Sequence, residues 1–203
     1  AESVPAAPNW SLDRVVDGLR AAREEWRQGH RRNDDLGVLD LPSRETLHEV
    51  LLALRSVLFP MRLGPSDLRR ESEDYFVGYT LDAALNDLLR QVRLELRYAN
   101  HEEAEAASVE SHAVTIVRHF AAALPDLRRL LDTDIEAAFR GDPAARSVDE
   151  VLLCYPGIIA MIHHRLAHQL QLLGVPLLAR IVSELAHSET GIDIHPGAQI
   201  GSG

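Results

Sequence analysis

Apolar residues recur three and four positions apart through almost the whole of this 203-residue chain, and only an α-helix places such positions on one face. Leu12, Val15, Val16, Leu19, Ala22 and Trp26 predict a first helix over about Ser11 to Gln28. After a polar stretch between Gly29 and Pro42, Ser43 can cap a second helix, which carries Leu47, Val50, Leu51, Leu54 and Leu58 and is ended by Pro60 and Gly64-Pro65. Val77, Leu81, Leu85, Leu88, Leu89, Val92 and Leu96 predict a long helix from Tyr75 to about Asn100. Two further helices are expected over Val109 to Ala123 and Asp126 to Phe139, divided at Pro125 and closed by Gly141-Asp142-Pro143. Pro156-Gly157 opens another that runs to Leu173. Gly174 then separates it from a last helix, Pro176 to His187.

The expectation is therefore a mainly α fold of seven helices, with β structure confined to the residues after Thr190. There the period changes. Ile192 and Ala198 are six apart, as are Ile194 and Ile200, with Gly197, Gly201 and Gly203 between and after them. A six-residue period suits the coils of a β-helix, whose short strands stack their inward aliphatics; a Gly-rich tail without structure is the other reading of so short a repeat.

Composition narrows the function classes. With 46% apolar residues the chain can bury a core, although Ala1 to Pro8, small and Pro-rich, reads as a frayed arm. Its 31 acidic against 21 basic residues give a net charge of −10, and no dense Lys/Arg stripe could neutralise a run of phosphates, which argues against nucleic acid and anionic membrane as partners. No apolar stretch approaches the ~20 residues that span a bilayer. The lone cysteine, Cys154, lies in an apolar run and is expected to be buried and reduced, as in a cytoplasmic protein.

Several segments carry a more specific signal: Gly141-Asp142-Pro143-Ala144-Ala145, Tyr155-Pro156-Gly157, His164-Arg165-Leu166-Ala167-His168, Ala186-His187 and Thr190-Gly191-Ile192-Asp193-Ile194-His195-Pro196-Gly197-Ala198. In this order they resemble the bacterial serine O-acetyltransferases, hexapeptide-repeat acyltransferases. The likeness is close over Gly141 to Gly203 and one of architecture over Ala1 to Arg140. It implies three regions: a helical oligomerisation domain over 1–140, a helical region with the Asp-Pro motif over 141–189, and the start of a left-handed parallel β-helix over 190–203, where the chain stops.

The activity implied is transfer of acetyl from acetyl-coenzyme A to the hydroxyl of L-serine, giving O-acetylserine for cysteine synthesis, with acetyl-CoA as co-substrate and no bound cofactor. A serine hydroxyl needs a base as it attacks a thioester, and a histidine oriented by a carboxylate suits the task. The resemblance places that orienting carboxylate at Asp193, and the partner of the serine ammonium at Asp142. It puts the histidine itself in an Asp-His-Ala/Gly-Thr-Gly motif about one coil beyond Asp193, past Gly203, so residues 1–203 alone are expected to be inactive. Trimer-based homo-oligomers, up to a hexamer, are implied too, and O-acetylserine sulfhydrylase is raised as a partner. The terminal segment is expected to be loosely held, or ordered by a neighbouring subunit.

Other readings exist for each feature. Asp142-Pro143 is also a common helix terminator, and Asp193 on its own is an ordinary loop carboxylate. His164 and His168 share a helix face beside His163, but Arg165 stands where a His-Glu-x-x-His zinc motif needs glutamate, so packing is expected rather than metal binding. His187 and His195 carry no assignment. A helical oligomerisation module without catalysis, and a hexapeptide acyltransferase with a sugar or antibiotic acceptor, are the competing functions; Asp142-Pro143 joined to Asp193 argues against the second.

Overall fold

The computed structural model describes residues 10–29, 41–99 and 106–203, and divides the chain into two units, 1–40 and 41–203. The expectations for Ala1 to Pro8, for most of the polar stretch after Gly29 and for the helix end at Asn100 lie outside the described residues. In the first unit a single helix, α1 (Leu12–Gly29), buries none of its residues, and Leu12, Val15, Val16, Leu19 and Trp26 are all exposed.

The second unit is built from α2 (Arg44–Leu58), α3 (Pro60–Leu63), α4 (Glu73–Ala99), α5 (Ala106–Gly141), α6 (Val148–Cys154), α7 (Pro156–Leu172) and α8 (Pro176–Thr190), with a short 3-10 turn at Arg70–Ser72. No strand forms among the described residues. The periodic residues of each helix meet in one core, in which Leu47, Leu51, Leu54, Leu88, Phe120, Leu131, Ile162, Leu166 and Leu178 are almost wholly removed from water. Within it α7 packs on α8, α2 on α4, and α5 on both α4 and α7.

Local chemistry sets the helix ends. Ser43 caps α2, its hydroxyl accepting the Thr46 N–H at 3.2 Å, and Ser147 caps α6 in the same way through Glu150 N–H at 3.0 Å. Prolines 60, 156 and 176 open α3, α7 and α8, where a missing N–H costs nothing. Gly191 closes α8 in the left-handed region, φ 73°, a conformation that favours glycine.

Pro60, expected only to end α2, also opens the short α3, and two further boundaries differ from the sequence expectation. Pro125 does not divide two helices; it lies inside the 36-residue α5. A proline there forfeits one backbone bond, yet Val117, Phe120 and Leu124 before it and Leu131 and Ile135 after it are buried on the same core, and that packing holds one continuous helix. The second difference is α6, which was not expected: at seven residues it is too short to show a period, although Ser147 and Glu150 mark its start. Cys154, at its end, is exposed rather than buried, because Val151 and Leu152 take the inward face of this short helix.

The packing also depends on two polar side chains of α4 that reach neighbouring helix starts. Gln91 accepts the Ser43 N–H at 2.7 Å, and Glu95, one turn on and 3% exposed, accepts both Leu177 N–H and Leu178 N–H at 2.8 Å. Glu95 thus meets the positive end of α8 with a carboxylate. Burial pushes its pKa up, and the two N–H donors pull it back. Glu95→Ala, which leaves the buried Leu178 N–H and the part-buried Leu177 N–H without this partner, is expected to lower unfolding free energy by about 2–3 kcal/mol in denaturant titration; a loss under about 0.5 kcal/mol would show that the cap is dispensable.

Candidate functional site

Asp142 follows the last residue of α5, half-buried, in a turn closed by Ala145 N–H to Asp142 O at 3.1 Å. Both carboxylate oxygens are engaged. Oδ1 accepts the Ala144 N–H at 2.9 Å, and Oδ2 accepts the Tyr155 hydroxyl at 2.5 Å. These bonds favour the anion, the tyrosine bond most, and hold the carboxyl below its ordinary range; the same pairing pushes the Tyr155 phenol up to about 12, so that it stays a donor. Asp142 is therefore a charged, oriented carboxylate with lone pairs to spare on each oxygen.

Tyr155 joins α6 to α7 and lines a cavity of about 370 Å³ with Asp134, Ala138, Gly157, Ile158, Met161 and the terminal residues 200–203. The far wall is thus the segment that carries the six-residue period. Its hold on the helices comes from Arg165 of α7, which is 4% exposed. That guanidinium grips the buried Asp134 of α5 with two bonds, Nε to Oδ2 at 3.1 Å and Nη2 to Oδ1 at 2.8 Å. Toward the segment it donates Nη1 to Ile200 O and Nη2 to Gly201 O, each at 2.6 Å. His168 adds a contact between Nδ1 and Pro196 O at 2.7 Å. The terminal segment is accordingly tied down by its own chain, contrary to the expectation of a loose end.

Asp193 stands in this segment, exposed, two residues past the Gly191 cap. No hydrogen bond or ion pair joins Asp193 to Asp142 among the described residues, and neither carboxylate lines the cavity itself. Nearby His195 turns back on its own loop, Nδ1 accepting the Gly197 N–H at 3.0 Å. The sequence names Arg165 only as part of a motif, without this role, and leaves Asp134 unremarked. The signal was an arginine on the apolar face of α7, whose flanks Leu166 and Ala167 are wholly buried, with Asp134 in an equivalent place on α5.

In α7, His163 and His164 are buried with no hydrogen-bond partner on either ring nitrogen, His163 Nε2 lies 3.9 Å from Glu189, His164 stacks on His168 with centroids 5.8 Å apart, and no cluster of three metal-ligating side chains occurs among the described residues. No described helix is long and apolar enough to cross a membrane.

The comparisons with known proteins agree with this architecture. The chain is 50% identical over 198 residues to a plasmid serine acetyltransferase of Synechococcus elongatus, a match that covers 95% of this chain and 61% of that protein. A serine acetyltransferase of Mycobacterium tuberculosis is 54% identical over 69 residues, 34% of this chain and 30% of its own. Among solved structures, serine acetyltransferase isoform 3 of Entamoeba histolytica in complex with cysteine superposes with a TM-score of 0.59 at 30% identity, covering 73% of this chain and 48% of that one. Native serine acetyltransferase 1 of the same organism gives 0.56 at 31% identity, covering 73% and 50%. No family model matches the chain. A helical platform followed by a glycine-rich six-residue period, joined to this degree of identity, makes the chain similar to the serine acetyltransferases, and it spans about three fifths of the length of the Synechococcus relative.

The buried histidines make folding sensitive to acid. Burial, first of all, pushes the pKa of His163 and of His164 down to about 4; positive neighbours, Arg55 for one and His168 and Arg165 for the other, add to the shift, against Glu189 and Asp134 respectively. The folded pKa lies below the unfolded value, so stability is fully present above about pH 6.5 and is lost as pH falls toward 4, while the unfolded chain takes up protons that the fold refuses. Unfolding free energy should fall between pH 6.5 and 5 with a slope that approaches about 1.4 kcal/mol per pH unit for each histidine at the acid end. His164→Gln should reduce that slope. A flat profile over this interval would contradict the assignment.

Proposed function

We propose that this chain is the substrate-binding helical part of a serine O-acetyltransferase, in which Asp142 holds the ammonium of L-serine. The reading is carried by one observation: the Asp142 carboxylate is kept anionic and aimed by two hydrogen bonds, and its partner Tyr155 lines the cavity closed by residues 200–203. A primary ammonium brings three donors and a positive charge, and an oriented carboxylate is the partner it needs. The Entamoeba structures in complex with cysteine support an acceptor that is a small α-amino acid, because cysteine differs from serine in one atom.

In this reading residues 190–203 begin a left-handed β-helix, with Ile192, Ile194, Ala198 and Ile200 as its stacking positions. The lack of a strand here fits, since a first coil gains its ladder bonds from the next coil. Asp193 orients and charges the histidine that deprotonates the serine hydroxyl as it attacks the thioester carbonyl of acetyl-CoA; the thiolate of coenzyme A leaves and O-acetylserine forms. No Asp-His-x-Thr-Gly sequence occurs in residues 1–203, so the histidine is sought in the remainder of the full-length protein. Homo-oligomers based on a trimer, a cytoplasmic setting and a role in cysteine synthesis belong to the same proposal. The exposed apolar residues of α1 favour assembly through helical contacts.

Serine-dependent release of coenzyme A thiol tests the proposal. The full-length protein is expected to be active and residues 1–203 alone inactive. In the full-length protein, Asp193→Asn should lower kcat by about 10²- to 10⁴-fold with little change in the KM for serine. An active full-length enzyme indifferent to serine but turning over with a sugar acceptor would refute the reading.

A further inference from the structure

We infer that Tyr155 is the positioning residue that fixes the Asp142 carboxylate for its amino-acid ligand, so that selectivity for an acceptor bearing an α-ammonium depends on this tyrosine hydroxyl. The inference rests on the assignment of Asp142 made above and adds to it the residue that makes Asp142 competent.

The geometry supplies the case. The backbone of Tyr155 is fixed by both helices it joins: its N–H donates to Val151 O of α6 at 3.1 Å, and its carbonyl accepts Ile158 N–H of α7 at 3.0 Å. From that fixed point the side chain crosses to a residue 13 positions earlier, and its hydroxyl meets Oδ2 of Asp142. Asp142 has no comparable support of its own. It follows the last turn of α5, and its other restraint is the short-range bond from Ala144 N–H, which a freely turning carboxylate could exchange between its two oxygens. The Tyr155 hydroxyl removes that freedom, assigning one oxygen to the backbone and the other to the phenol, and leaves the remaining lone pairs in a set direction.

Charge acts in the same sense. A phenol pushed up to about 12 remains a donor across the working pH range, and the carboxyl it serves is held below its ordinary range and remains an anion. The other ionisable groups that raise the phenol pKa are Glu150 and Cys154, and no guanidinium or ammonium of this chain pairs with Asp142 among the described residues. The carboxylate is thus charged, aimed and without a cation of its own beside the cavity lined by Tyr155. A group built only to pin a turn would not need that combination. A site awaiting a ligand's ammonium does.

The test uses the full-length enzyme with Tyr155→Phe, which deletes one oxygen and keeps the ring. The KM for serine is expected to rise about 5- to 10-fold, the scale of one lost charge-assisted hydrogen bond, while kcat and the KM for acetyl-CoA stay within about twofold and Tm within a few degrees. Asp142→Asn should raise the serine KM further, and Tyr155→Phe on that background should add nothing, because the hydroxyl acts through the carboxylate. Tyr155→His, which retains an N–H donor, should recover part of the loss. A serine KM unmoved by Tyr155→Phe while Asp142→Asn raises it overturns the role of Tyr155 alone. A serine KM unmoved by Asp142→Asn overturns the assignment of Asp142 beneath it. A fall in kcat and Tm together, with the serine KM unchanged, marks Tyr155 as a purely structural pin and equally rejects the inference.

Discussion

The terminal segment depends on one buried ion pair, that of Arg165 with Asp134. A guanidinium taken out of water is costly unless its donors are met, and here two bonds to Asp134 and one each to Ile200 O and Gly201 O engage it. The pair also has a directional effect. Asp134 sits on α5 two turns before Asp142, and Arg165 sits on α7, which begins just after Tyr155. The interaction that joins α5 to α7 therefore also fixes residues 200–201, at the end of the six-residue period, against the part of α5 that leads to Asp142. Backbone carbonyls as acceptors make the hold indifferent to the side chains of 200–201, but not to their path.

The two carboxylates of the proposed site meet different physical demands. Asp142 is half-buried and held by a phenol and a backbone N–H, a setting that fixes charge and direction. Asp193 is exposed, in an irregular segment just past a helix cap. A carboxylate in that position acquires an orienting role only when another group packs over it, which is consistent with a chain that spans three fifths of the Synechococcus relative. Glu95 represents a third use of the same chemistry, a carboxylate given wholly to capping α8.

How far the sequence disclosed this structure depended on the range over which each signal acts. Period-3.6 apolar patterning is strong over two or more turns, so α2, α4, α7 and α8 stand within a few residues of their expected places. Pro125 misled, because the proline rule is local and the burial of Phe120 and Leu131 on either side is not. The seven residues of α6 are too few to show a period, and with it went the expectation that Cys154 is buried. Asp142 and Asp193 were singled out through the order of motifs around them, and their roles are those of the proposal. Arg165, Tyr155 and Glu95 take their roles from partners 31, 13 and 82 or more positions away, and no spacing in the sequence encodes those distances.

The central claim is that the chain itself holds residues 198–203 on the helical platform through Arg165. Backbone ¹⁵N relaxation on the 1–203 protein, at a concentration where it is monomeric, tests this most directly, comparing the native chain with an Arg165→Met/Asp134→Leu variant that removes both charges together. The account predicts order parameters near ~0.85 for 198–203 in the native chain, falling below ~0.6 in the variant while α5 and α7 keep theirs. Values already below ~0.6 in the native chain, or equal in the two proteins, would contradict it.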